Sequence, residues 1–83
     1  MSEKGHLQCV ISSAEKTIIY EALESVTLPA FSGSMQILPG HAEAFVVIAG
    51  GNMILKHADG HIETLPIGAS ECHVENDQVM IIV

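Results

Sequence analysis

A chain of 83 residues, 48% hydrophobic and 16% charged, has room for one domain and too much apolar content for an intrinsically disordered segment. Ten acidic residues face three lysines and no arginine, a net charge of −7. That balance excludes recognition of nucleic acid and attraction to anionic lipid, both of which need basic side chains, whereas a basic protein surface would attract it.

No run approaches the ~20 apolar residues of a membrane helix. The N-terminus, Met1-Ser2-Glu3-Lys4-Gly5-His6, lacks the basic and apolar regions of a signal peptide and the arginines of a transit peptide. The expectation is one domain over residues 1–83, cytoplasmic and without direct membrane insertion. Cys9 and Cys72 are far apart and form no CxxC, so they read as free thiols behaving as small hydrophobes.

Along the chain, short apolar runs broken by turn residues predict strands. Leu7, Cys9 and Ile11 alternate with His6, Gln8, Val10 and Ser12 and give a first strand with one clearly apolar face. Ile18-Ile19-Tyr20 suits a second. Glu24 to Leu28 alternates and stops at Pro29, which cannot donate to a ladder. Residues 30–34 read as a loop, and Met35 to Leu38 as a short run ended by Pro39-Gly40, a strong turn pair. Phe45-Val46-Val47-Ile48 reads as a strand buried on both sides, closed by Gly50-Gly51. Asn52 to His57 and His61 to Leu65 flank Ala58-Asp59-Gly60 as a hairpin. Ser70 to Val74 and Val79 to Val83 flank Glu75-Asn76-Asp77-Gln78 as another.

Helix is hard to place; Glu15 to Glu24 is the one candidate, and its β-branched centre is a poor helix former. The expected fold is all-β, a two-sheet β-sandwich of about nine or ten short strands. Leu7, Val26, Leu28, Val46, Ile48, Val74, Val79 and Ile81 are expected in its core.

Five histidines raise the question of a metal. His57 and His61 flank a turn and can meet across it, which would suit a cupin-like metal-binding domain with a third ligand. Cys72 and His73 are adjacent on a strand and point to opposite faces, as do His6 and Cys9. No four ligands stand at the spacing of a structural zinc site. Catalytic signatures are also missing: there is no Gly-x-Ser-x-Gly elbow, phosphate loop or dinucleotide fingerprint. A lipoyl- or biotinyl-type carrier domain would present its lysine at a hairpin tip, but Lys56 lies ahead of the turn. The expectation is no enzyme, no cofactor and no metal.

Ile37-Leu38-Pro39-Gly40-His41-Ala42 is the most informative stretch, because Pro39-Gly40 holds a polar residue, His41, on a rigid corner suited to recognition. It resembles the Pro-Gly-His-Ala turn of the F-type ATP synthase epsilon subunit family (delta in mitochondria). His6 to Ser12 is similar to that family's opening strand. Tyr20 stands where the family has an aromatic residue before the strand Glu24 to Leu28. Gly33 and Ile37 match its Gly-x-x-x-Ile stretch, and Gly68-Ala69-Ser70 stands where it usually reads Ser-Gly-Gly. The resemblance runs from residue 6 to 83, with departures at Gln36 for a glycine, Glu43 for a proline and Ser34 for an acidic residue.

The resemblance implies a non-catalytic rotor subunit of the central stalk. It would join the gamma subunit to the c-ring, peripheral to the inner face of an energy-transducing membrane, and couple ion flow to rotation. Phe31, Ser32, Gly33, Ser34 and Met35, with the corner Gly40, His41, Ala42 and Glu43, are expected to face those partners. The family's two C-terminal helices, which can brake rotation and in some members bind ATP, have no counterpart up to Val83. Coupling without brake or ATP sensing is therefore expected.

Overall fold

The structure, a computed structural model, describes residues 5–83; Met1 to Lys4, on which the expectation about a leader rests, lie outside them. Eight strands follow in chain order: β1 Leu7–Ser12, β2 Thr17–Ala30, β3 Gly33–Ile37, β4 Ala44–Ile48, β5 Gly51–His57, β6 Ile62–Ile67, β7 Ser70–Glu75 and β8 Gln78–Ile82. Among the described residues there is no helix, and so none long and apolar enough to cross a membrane.

All eight strands belong to one hydrogen-bonded sheet in the order β1-β8-β7-β4-β2-β5-β6, with β3 on β2 and a further β1–β2 pairing. The sheet folds over on itself as an all-β sandwich. β1, β8, β7 and β4 form one layer and β3, β5 and β6 the other, with β2 contributing to both. β1 and β8 run parallel, so the first and last strands lie side by side.

Two of the expected strands, at Ile18 and at Val26, are a single strand of 14 residues. They look separate in sequence because β2 carries two bulges. Leu7 pairs with Leu23 but Cys9 with Tyr20, one extra residue on β2. Leu23 pairs with His57 but Ser25 with Lys56, another extra residue. At the first bulge Ala22 sits at φ 56, and its carbonyl accepts the Ala58 N–H at 2.9 Å. A bulge bends a strand and raises its twist, which lets β2 leave one layer and enter the other.

Pro29 does not end the strand. Its carbonyl accepts the Ala49 N–H, so its missing N–H falls on that same side. There β2 hands over from β5, last paired at Thr27, to β4, paired at Ala30, and no ladder bond is lost.

All eight residues expected in the core are buried, joined by Cys9, Leu23, Ile37, Met53, Leu55 and Cys72. Strand β4 departs from expectation. Val46 and Ile48 face the core, but Phe45 is 77% and Val47 62% exposed. The strand has one buried face, and its other apolar face is bare.

Both cysteines are buried free thiols. Burial, with a smaller effect of Cys72, pushes Cys9 up from 9.0 to about 12. Burial alone pushes Cys72 up from 9.0 to about 11. The unfolded chain therefore loses these protons first, and their contribution to stability is complete below pH 9.0 and lost as pH rises toward 12. Both thiols should resist alkylation in the folded protein at pH 8 and react fully in denaturant, and urea midpoints should fall above pH 9; rapid native labelling would contradict this. Ala22→Gly relieves a left-handed alanine and should raise stability by about 0.5–1 kcal/mol. Ala22→Val should lower it by about 1–2 kcal/mol, both read by urea denaturation.

Candidate partner-binding surface

The expected corner is built by a local turn and fastened by a distant one. His41 N–H donates to the Leu38 carbonyl at 3.1 Å and Gly40 lies at φ 84, the positive φ that the third position of a type II turn requires after proline. Gly40 N–H then donates to Asp77 Oδ1 at 2.7 Å, across 37 residues of sequence. Asp77 sits in the β7–β8 turn, where Asn76 and Asp77 adopt φ 52 and 61, the two-residue hairpin geometry that asparagine and aspartate tolerate. The Asp77 carbonyl also accepts Gln8 N–H at 3.0 Å. One residue thus ties the corner, the last hairpin and β1 together.

Beyond the turn, His41 Nδ1–H donates to the Ala42 carbonyl at 2.6 Å. Glu43 accepts a hydrogen bond from His73 Nε2–H at 2.8 Å, and Phe45 stacks on the same imidazole with centroids 4.3 Å apart and planes within 7°. Gly40, His41, Ala42, Glu43, Glu75 and Asp77 surround a shallow recess with three carboxylates around it.

The other expected segment is less of a loop than its composition suggests. Only Phe31 and Ser32 form the turn; Gly33, Ser34 and Met35 belong to β3 and pair with Ala30, Pro29 and Leu28. Phe31 N–H donates to the Val47 carbonyl at 2.9 Å, which leaves the ring at the hairpin tip, 81% exposed. It shares a concave apolar patch with Met35, Phe45 and Val47.

The two segments lie at opposite ends of β4, separated by roughly 13 Å of strand. Phe45 and Val47 lie between them and make the surface continuous: Phe31 and Val47 at one end, Phe45 in the middle, Glu43 and His41 at the other. Sequence reasoning missed Phe45 and Val47 because large apolar residues at both parities imply burial on two faces. The same pattern also arises when one apolar face is left exposed, as here.

Among the described residues, no third ligand joins His57 and His61 in a group that could hold a metal. His57 and His61 meet across their turn as stacked rings 4.8 Å apart, and His57 Nε2–H donates to Glu63 at 2.7 Å. Cys72 is buried while His73 lies on the outer face, as their adjacency requires. Lys56 lies within β5, bridged to Glu24 at 3.1 Å, not at a hairpin tip.

Residues 6–83 match the family described as ATP synthase, Delta/Epsilon chain, beta-sandwich domain. The chain is similar to the ATP synthase epsilon chain of Prochlorococcus marinus, 27% identical over 73 residues, covering 88% of this chain and 54% of that one. It is also similar to that of Synechococcus sp., 34% identical and covering 88% and 53%, and to that of Micrococcus luteus, 29% identical and covering 93% and 85%. It therefore spans about half the length of the first two relatives. Its fold is similar to that of a chain in the cryo-EM structure of the Euglena gracilis mitochondrial ATP synthase, with TM-score 0.86 at 18% identity, covering 99% of this chain and 53% of that one. A chain of the Tetrahymena thermophila mitochondrial ATP synthase central stalk and c-ring gives TM-score 0.75 at 11% identity, covering 99% and 66%. At those identities the likeness is one of fold.

Because Asp77 is a long-range tie of the corner, Asp77→Ala should cost about 1–2 kcal/mol. It should also speed hydrogen exchange at the Gly40 amide while leaving the β5–β6 amides unchanged. Equal acceleration across the sheet would show that Asp77 serves the fold as a whole and not this corner.

Proposed function

The chain belongs to the delta/epsilon β-sandwich family of ATP synthase, and on that premise we propose that residues 1–83 act as one unit in the central stalk of an F-type enzyme. It joins the gamma subunit to the c-ring, so that ion flow, rotation and ATP synthesis stay coupled. The role is mechanical and non-catalytic. The protein sits on the inner, cytoplasmic face of the membrane through its partners.

The observation that carries this reading is the bare apolar strip of Phe31, Phe45 and Val47 in a chain of this family. Large apolar side chains clustered on an otherwise finished sandwich suit a lasting protein contact, and aromatic anchors supply most of such an interface's energy. Phe31 to Met35 and Gly40 to Glu43 flank the strip and complete the partner-facing surface. The net charge of −7 favours approach to a basic partner surface.

Phe31→Ala with His41→Ala should leave the isolated fold intact and weaken assembly with gamma and the c-ring by about 1–3 kcal/mol. Phe45→Ser with Val47→Ser should weaken it further, since it removes the middle of the strip. A reconstitution titration checks both; affinities equal to wild type would place the binding face elsewhere.

A further inference from the structure

Glu43, His73 and Glu75 bring three ligand-capable atoms within 4.8 Å of one another on the outer face of β4 and β7. His73 Nε2 lies 2.8 Å from Glu43 Oε2 and 3.7 Å from Glu75 Oε1. Two donors that each sit about 2.0–2.1 Å from a zinc ion are separated by roughly 3.3 Å when the geometry is tetrahedral. The two His73 separations bracket that value; the three atoms span up to 4.8 Å, so the exposed carboxylates must rotate inward to close the set around an ion.

The sheet itself makes the arrangement. His73 and Glu75 are two apart on β7 and so share a face. Phe45 pairs with His73 across the β4–β7 ladder, and its stacked ring fixes the imidazole plane. Glu43 reaches in from the residue before β4. We propose that Glu43, His73 and Glu75 form a binding site for a divalent transition-metal ion of the zinc type, with water completing its shell.

One imidazole and two carboxylates are a borderline donor set that suits zinc better than magnesium or calcium, which prefer all-oxygen shells. The two carboxylates with a neutral imidazole balance the charge of the ion. Binding displaces the Nε2 proton, which leaves to solvent or moves to Nδ1. A bound ion would also tie the start of β4, and with it the His41 corner, to β7.

Calorimetric titration of the untagged chain with zinc chloride tests this without any partner, so its outcome is independent of the stalk assignment. One ion per chain is expected, and Glu43→Gln and His73→Gln should each weaken binding by at least about 10-fold. These side chains lie on the surface, and circular dichroism should show each variant folded. A His57→Gln, His61→Gln double variant should bind as wild type. No saturable binding by the wild-type chain, wild-type affinity in the Glu43 or His73 variants, or loss confined to the His57/His61 variant would each overturn the site.

Discussion

Strand β2 hydrogen-bonds in turn to β1, β3, β4 and β5, and the two layers of the sandwich depend on that change of partners. A straight strand of 14 residues would stay in one layer. The bulge at Ala22, with its left-handed backbone, turns the chain so that Leu7 and Cys9 from one layer and Leu55 and Met53 from the other meet around Leu23, Val26 and Leu28. Conformational strain at one exposed alanine is offset by a shared core. Every later strand finds its place by pairing with β2 or with a strand already beside it.

The exposed apolar face of β4 follows from the same construction. β4 pairs with β2 only at Ala30↔Ile48 and along its length with β7, so β2 does not cover its outer face. Val46 and Ile48 complete the core, and Phe45 and Val47 are left outside. In a small domain, where stability is a narrow margin between large terms, such a face costs solubility unless something covers it. The Phe31 turn and the Pro39–Gly40 corner stand at the two ends of that strand. A partner seated on the strip would therefore meet both.

Polar contacts place the corner more firmly than its own turn would. The Asp77 carboxylate accepts the Gly40 N–H, and a charged acceptor makes a stronger bond than a carbonyl. Glu43 and His73 form a second tie across 30 residues. His41 is then carried by a rigid support on both flanks, so that little ordering would remain if a partner docked there.

Strand period, turn chemistry and hydrophobic alternation are local properties. The all-β class, the hairpins at Ala58–Gly60 and Glu75–Gln78 and all eight expected core residues were therefore legible from the chain alone, as was the Pro39–Gly40 corner. Three things were not. Ile18 and Val26 belong to one strand because a backbone bulge joins them, and a bulge leaves little mark on alternation beyond a shift of phase. Phe45 and Val47 are exposed because alternation reports which residues share a face, not whether solvent or protein lies against that face. Asp77 beside Gly40, and Glu43 beside His73 and Glu75, are pairings of residues distant in sequence whose meeting depends on strand order and register. Local sequence sets which residues can make such contacts, and only the closed sheet decides which of them meet.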